Sequence, residues 1–326
     1  MKTNLFFRLL ALFLVFAATY ACQEKIAMTE NVDGTKVKLK VVVPVEETRV
    51  TSSNDESKIS NYQVYVFDDQ GVLESYVNQT GSDIVLDCIA GNKTVAVLAN
   101  APVLNDVATW DALAAKTSLL SHNSVGAFVM AGQQSVSLTS DKEVSISVSR
   151  LVSKIRLSSL QLSFEAPQYQ SATFKVASVY LINVPAETRY FSNTVPTTWY
   201  NKQKYLSTDA NTLIYDDMKS VTVTSSSPYS TTNTFYCYPN PSDQDSFSQT
   251  WSARHTRLVV EAYLGNNKYF YPVTLPKLEK NKIYDVKLTI TRPGTSVPDD
   301  EVDKYAADFT ISVKAWETGS TVTEEI

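Results

Sequence analysis

Short segments in which apolar and polar residues alternate recur along most of this 326-residue chain. The first has its apolar face at Val37, Leu39, Val41, Val43 and Val45, between lysines at 36, 38 and 40. The last has its apolar face at Phe309, Ile311, Val313 and Ala315 and ends at Trp316. A period of two residues is the pattern of a β-strand with one buried face. The sequence therefore predicts an amphipathic strand near each end of the chain.

Further strands are predicted between these two, separated by turns rather than helices. They lie at residues 62–67, 82–88, 93–98, 135–138, 144–148, 154–162, 174–184, 258–264, 268–273 and 284–290. One helix is predicted at Trp110–Leu120, where Ala and Leu are frequent, with Asn105 or Asp106 before it. Residues 185–250 are rich in Ser, Thr, Asn, Tyr and Pro, which favours long surface loops.

Many short strands with almost no helix indicate an all-β fold of one or two β-sandwiches. The length suits about two domains. The boundary is predicted near residues 150–153, where one series of strands ends and the next begins. This divides the chain into residues 50–151 and 152–326 after an N-terminal leader.

The N-terminus has the pattern of a secretion signal. Lys2 and Arg8 precede an apolar run at Leu9–Ala18, and these ten residues are too few to span a bilayer. The run ends at Thr19–Cys22, with a small residue directly before the cysteine, which resembles the lipobox of bacterial lipoproteins. Residues 1–21 are therefore predicted to be a signal peptide and Cys22 a lipidation site that anchors the precursor in the outer membrane. The alternative is an ordinary signal peptide followed by an incidental cysteine.

The other two cysteines, Cys88 and Cys237, lie about 150 residues apart, and a disulfide framework uses more cysteines at closer spacing. We expect them to be buried free thiols.

Composition argues against several classes of function. Nine glycines and the absence of a Gly-rich phosphate loop disfavour nucleotide binding, and His122 and His255 are isolated from other metal ligands. A net charge of −5 without a basic stripe argues against nucleic acid as a partner. The sequence thus predicts no catalytic residues, no metal and no cofactor.

Several segments, taken in order, resemble the FimA-type major fimbrillins of Bacteroidales, the shaft subunits of type V pili. They are residues 55–58 (DESK), 62–67 (YQVYVF), 90–100 (AGNKTVAVLAN), 150–155 (RLVSKI) and 281–295 (NKIYDVKLTITRPGT). The lipobox and the tryptophan of the last strand add to the resemblance, which spans nearly the whole chain.

The resemblance implies two tandem transthyretin-like β-sandwiches and export as a lipoprotein to the cell surface. It also implies cleavage by an Arg-specific surface protease at Arg49–Val50, in the polar segment 46–57, so that residues 22–49 form a propeptide. Lys58 and Arg150 are further basic positions that a trypsin-like protease could cut. Cleavage would remove the strand at residues 37–45, and the strand ending at Trp316 of another copy would then fill the vacated groove. The partners implied are further copies of the chain, in a homopolymer, and minor fimbrial subunits.

Three alternatives remain open from the residues. In a monomeric surface lipoprotein, both terminal strands would pack within the molecule. In a glycan-binding lipoprotein, Trp199, Tyr200, Tyr205 and Trp251 would stack on sugar rings. In a minor tip or anchor fimbrillin, the donor strand or the cleavage would be missing.

Overall fold

A computed structural model describes residues 34–44, 56–209, 211–229, 232–244, 251–300, 307–316 and 324–325. The predicted signal peptide at residues 1–21 and four predicted site residues, Cys22, Val45, Arg49 and Val50, lie outside these ranges. Within the described residues, no helix has the length and apolar character needed to cross a membrane.

The protein is almost entirely β-structure, as predicted from the alternating pattern. The first nine strands are β1 (Lys36–Val42), β2 (Tyr62–Phe67), β3 (Leu73–Gln79), β4 (Ile84–Ile89), β5 (Gly91–Ala99), β6 (Thr117–Leu119), β7 (Met130–Leu138), β8 (Lys142–Ser145) and β9 (Ser149–Arg150). The others are β10 (Ser153–Leu162), β11 (Phe174–Ile182), β12 (Val184–Pro185), β13 (Glu187–Arg189), β14 (Trp199–Tyr200), β15 (Tyr215–Val223), β16 (Asn233–Cys237), β17 (Arg257–Leu264), β18 (Asn267–Thr274), β19 (Lys282–Ile290), β20 (Ala307–Ala315) and β21 (Glu324–Glu325). Two short α-helices, α1 (Trp110–Ala114) and α2 (Pro167–Gln170), and 3₁₀ turns at Leu120–His122 and Ser207–Asp209 complete the described elements.

The strands up to residue 150 form two main sheets. One has the order β3-β2-β5-β7-β9 and is antiparallel throughout, and the other has the order β4-β1-β8. The side chains of β2 are buried along the whole strand. Apolar residues of both sheets belong to one cluster of buried contacts, which is the arrangement of a β-sandwich.

The strands from residue 153 onward form two larger sheets, with the orders β16-β10-β19-β20-β21 and β15-β11-β17-β18. The β10–β19 pair is parallel and is interrupted by an irregularity between Leu157 and Ser159, whereas β19 and β20 are antiparallel. Strand β11 is buried over most of its length because both β15 and β17 flank it.

The two pairs of sheets meet through apolar and hydrogen-bonded contacts. Leu151 and Val152, between β9 and β10, are buried, and the short strands β6 and β13 pair with each other across this junction. The hydroxyl of Tyr238 also donates to Ser118 Oγ at 2.8 Å. The division into domains at residues 151 and 152 stays a prediction.

Several predicted elements differ from those observed: strand β3 was not predicted, and the strand predicted at 144–148 is β8, at Lys142–Ser145. The helix predicted at Trp110–Leu120 ends at Ala114, and Thr109 caps it by accepting from Ala112 N at 3.1 Å. Residues 117–119 form β6 instead, because they pair with β13, a partner 70 residues along the chain. The loops predicted within 185–250 contain β13–β16, and β16 places the buried Phe235 and Cys237 beside β10. Tertiary pairing thus overrides the local preference of these polar sequences.

Both described cysteines are buried free thiols, as expected. Burial raises the pKa of Cys88 to about 11, so its thiol stays protonated and unreactive at neutral pH.

Candidate assembly site

Strand β1 occupies the middle of its sheet, with β4 on one side and β8 on the other. Its pairing with β8 is parallel, from Leu39 opposite Lys142 to Val42 opposite Ser145. Val37, Leu39, Val41 and Val43 all point into the core and are buried. Because both edges of β1 are hydrogen-bonded, loss of this strand would leave a strand-length gap between β4 and β8 and uncover the core beneath it.

The outward face of β1 is held by ion pairs. Lys38 Nζ lies 3.0 Å from an Asp87 carboxylate oxygen, and Lys40 Nζ lies 2.9 Å from Glu143. These hydrogen bonds raise the pKa of both lysines, but all four side chains are exposed to solvent. Exposed pairs contribute little to stability, so the apolar face dominates the attachment of β1.

Strand β20 carries the predicted donor residues and pairs with β19 along all nine of its residues. Ile311 is buried, Val313 and Ala315 are half-buried, and Phe309 is 46% exposed. The phenyl ring of Phe309 thus has little role in the packing of this molecule, although it stands in register with the inward residues.

A buried carboxylate ties β20 to the sheet. Lys314 Nζ lies 2.8 Å from Asp285 Oδ2 on β19, and Arg156 on β10 forms a bidentate pair with the same carboxylate. Burial alone would raise the pKa of Asp285, but the hydrogen bonds from Arg156 and Lys314 outweigh it and lower the pKa. Asp285 is therefore charged at neutral pH and links three strands.

Trp316 directly follows β20 and lies in a socket formed by the rings of Tyr236 and Phe128 and the cationic side chain of Arg150. Its indole ring lies 5.8 Å from the ring of Tyr236 and 5.6 Å from that of Phe128. The guanidinium of Arg150 lies 4.5 Å from the indole centroid, within the range of a cation–π contact. Backbone bonds fix the same residue, because Trp316 N donates to Asn281 O at 2.9 Å.

Glu56 is the charged partner of this socket. Trp316 Nε1 donates to Glu56 Oε2 at 3.2 Å, and Lys154 Nζ lies 2.8 Å from Glu56 Oε1. The hydroxyl of Tyr236 donates to the same carboxylate. Burial and the Glu56 carboxylate raise the pKa of Tyr236, so its phenol remains protonated as a donor. The Arg150 guanidinium also donates to the Glu56 carbonyl at 3.1 Å.

The segment before β20 is attached independently of the Trp316 socket. Asp299 is buried and pairs with Arg254 at 2.7 Å and with Arg257 at 3.1 Å. Asn183 Nδ2 donates to the same carboxylate at 2.8 Å. Asp299 thus fixes the chain eight residues before β20 begins at Ala307.

The four aromatic residues considered for sugar stacking pack within the molecule. Trp199 is buried and its ring lies edge-on to Trp251 at 5.4 Å. Tyr205 stacks on Tyr215 at 4.3 Å, and Tyr200 packs against the core. This arrangement leaves no flat row of aromatic faces among these residues and does not favour a sugar platform.

The structure brings together one pair of regions that sequence reasoning did not connect. Glu56 follows the predicted cleavage position by seven residues, yet its carboxylate contacts the last residue of the predicted donor strand. The only sequence signal was that each residue lies in or next to a segment shared with fimbrillins. Their contact spans 260 positions, and no local pattern predicts it.

One family model matches the N-terminal part of the chain. Residues 35–149 match the family model of the major fimbrial subunit protein (FimA). A search among curated proteins finds no significant match.

Solved structures share the fold over most of the chain. A fimbrilin from Porphyromonas gingivalis W83 is 17% identical, with a TM-score of 0.62 over 87% of this chain and 99% of that one. A candidate cell-adhesion protein from Parabacteroides distasonis ATCC 8503 is also 17% identical, with a TM-score of 0.63 over 89% and 99%. The C-terminally truncated tip fimbrial protein Mfa3 from P. gingivalis is 13% identical, with a TM-score of 0.55 over 86% and 100%.

These comparisons confirm the resemblance to FimA-type fimbrillins and the all-β, sandwich-type fold. At these identities, the solved structures show a shared fold.

Proposed function

We propose that this chain is a shaft subunit of a fimbrium that polymerises by donor-strand exchange after proteolysis. In this scheme, Cys22 carries lipid and anchors the precursor in the outer membrane. An Arg-specific surface protease cuts after Arg49 and releases β1. The β20 segment of another copy, from Phe309 to Trp316, then takes the place of β1 between β4 and β8.

The position of β1 carries this proposal. An inner strand that belongs to the N-terminal end of the chain is joined to the rest only through residues 43–61. Once that connection is cut, β1 is held by noncovalent contacts alone. Its departure would leave unpaired backbone groups on both β4 and β8 and an open apolar groove, which is the acceptor that β-strand addition requires.

The length and pattern of β20 suit it as the incoming strand. It has nine residues against seven in β1, and both strands present apolar residues at alternate positions. Phe309 is 46% exposed in the single molecule and would gain burial in the groove, where full burial of such a side chain is worth about 1.5–3 kcal/mol relative to exposure. Loss of the pairing with β19 and the ordering of the released strand offset part of this gain.

Donor and acceptor lie on different sheets, so the contact between copies is heterologous. Such an interface leaves a free donor and a free groove at the two ends of any assembly. The same contact therefore repeats into a filament instead of closing a dimer.

The first test is the N-terminus and intact mass of protein sheared from the producing cells. We expect a chain that starts at Val50 and runs as a ladder of multimers that heat dissociates. A lipidated chain that starts at Cys22 and runs only as a monomer would overturn the polymerisation scheme and leave an anchored surface lipoprotein.

A substitution at the predicted cleavage position tests the order of events. Arg49→Ala should leave the precursor uncut and monomeric, because β1 would stay covalently attached in the acceptor groove. Lys58→Ala is the matched control, since it removes a basic residue beyond the predicted site and should leave processing unchanged. Normal multimers from Arg49→Ala would contradict the proposed role of Arg49.

A further inference from the structure

The buried contacts of Glu56 differ in kind from an ordinary surface ion pair. Its carboxylate accepts from the Trp316 indole, the Lys154 ammonium and the Tyr236 hydroxyl, and the side chains of Glu56 and Lys154 are 13% and 14% exposed. Charged hydrogen bonds in such a partly buried site are stronger than exposed pairs. The hydrogen bonds of Glu56, Lys154 and Tyr236 therefore fix the position of Trp316.

Further contacts of Trp316 surround its hydrogen bond to Glu56. Its ring contacts Phe128 and Tyr236, its carbonyl accepts from Arg150 Nη1 at 3.3 Å, and its amide bonds to Asn281. Phe128, Arg150 and Glu56 precede residue 151, whereas Tyr236 on β16 and Lys154 on β10 belong to the sheet that contains β20. The socket thus joins the end of β20 both to strands of its own sheet and to residues before 151.

We infer that Glu56 and its socket form a latch that keeps the C-terminal strand docked until the chain upstream of Glu56 is cut. This inference rests on the proposed donor-strand function and adds a control step to it. In the precursor, Glu56 lies between two fixed points, β1 on one side and β2 on the other. After cleavage at Arg49, Glu56 becomes the seventh residue of a free N-terminus.

The physical reason for the coupling is the fraying of chain ends. A segment attached at both sides opens less readily than one near a free terminus, where few contacts restrain the backbone. Each opening of Glu56 removes the acceptor of the indole N–H and leaves the Lys154 ammonium unpaired beside the ring. Cleavage would therefore both vacate the acceptor groove and loosen the donor strand of the same molecule.

Hydrogen exchange of the full exported chain, followed by mass spectrometry, measures the latch directly. In the uncut chain we expect Glu56→Gln to raise the exchange rate of amides in residues 309–316 about tenfold, because a neutral amide cannot replace the charged hydrogen bonds. Trp316→Phe, which keeps an aromatic ring but lacks the indole N–H, should have a similar effect. Glu165→Gln is the control, since it breaks an exposed pair with Arg292 and should leave β20 unchanged. Unchanged exchange in β11 and β17, which pair with each other in the other sheet, would show that the variants remain folded.

Cleavage tests the coupling. An arginine-specific protease should raise β20 exchange in the wild-type chain toward the Glu56→Gln level and should add little in that variant. Equal effects of cleavage in both chains, or no response of β20 to Glu56→Gln, would overturn the latch.

Multimer formation separates the latch from the proposed function. If the cut wild-type chain forms no multimers while the exchange results hold, the latch stands and the polymerisation scheme fails. If multimers form but β20 exchange does not depend on Glu56, the scheme stands and the latch fails.

Discussion

At the residue scale, Gly294 shows how a close backbone approach constrains the chain before β20. Phe270 and Thr295 exchange two backbone hydrogen bonds of 2.9 Å, which brings the backbone at Gly294 against Phe270. A Cβ atom at Gly294 would lie 2.2 Å from the Phe270 carbonyl oxygen, which only movement of the backbone could relieve.

We therefore predict that Gly294→Ala lowers the free energy of unfolding by about 1–3 kcal/mol through overpacking. Urea unfolding of the purified chain measures this change. Gly81→Ala is the matched control because a Cβ there meets only the end of the Gln79 side chain, at 3.9 Å. A similar loss in both variants would contradict the steric argument.

Asp285 makes the stability of the folded chain depend on pH. Its pKa is lowered below 3.8 in the folded chain, so its contribution to stability is present above the unfolded pKa and is lost as the pH falls through the folded value. Asp285→Asn should cost about 1.5–3 kcal/mol at pH 7, because Arg156 and Lys314 lose their charged acceptor.

The difference between wild type and Asp285→Asn should shrink as the pH falls below about 4. Unfolding curves of both proteins between pH 7 and pH 2.5 check this. A difference that is independent of pH would mean that the carboxylate charge is not the source of the stabilisation.

At the scale of elements, β1 combines an apolar face that is fully packed with a charged face that is not. Leu39 is 0% exposed, whereas Lys38 next to it reaches solvent. Leu39→Ala should destabilise the uncut chain by about 2–5 kcal/mol because it leaves a cavity in the core. Lys38→Ala should have little effect, and urea unfolding of the uncut chain compares the two.

The two terminal strands illustrate how the same alternating pattern is used differently. In β1 the alternating residues Val37, Leu39 and Val41 are all buried, but in β20 burial is uneven and Phe309 is exposed. A large exposed ring on a strand that is otherwise packed makes little contribution to the stability of the single molecule. The Phe309 ring would contribute to stability only if β20 packs against another copy in the assembled state.

At the scale of the whole molecule, a substitution at Phe309 distinguishes an effect on folding from an effect on assembly. Phe309→Ser should leave the melting temperature of the monomer nearly unchanged and should weaken the multimers recovered after cleavage, because the proposed acceptor groove would lose an apolar side chain. Val297→Ser is the control, since Val297 is similarly exposed, at 43%, and lies outside β20. Equal multimer stability in wild type and Phe309→Ser would argue against insertion of this face.

The sequence predicts the all-β class of the fold, but it does not predict which strands pair with each other. Periodic strands such as 37–45 and 309–315 were recognisable because side chains alternate between faces, a property that depends only on local backbone geometry. The two buried thiols followed from their spacing and the small number of cysteines. By contrast, β13–β16 arise in a polar, turn-rich sequence, where pairing with distant strands decides the structure.

Two further features were decided by tertiary structure alone. Strand periodicity does not state which strands become neighbours, so the placement of β1 between β4 and β8 required the folded chain. The contact of Glu56 with Trp316 likewise depends on how the sheets before and after residue 151 meet. The amino-acid sequence by itself determined the all-β class and the amphipathic strand near each end, because these depend on local alternation. Long-range packing decided which groove β1 fills and what holds β20 in place, because burial and hydrogen bonding between distant residues exist only in the folded chain.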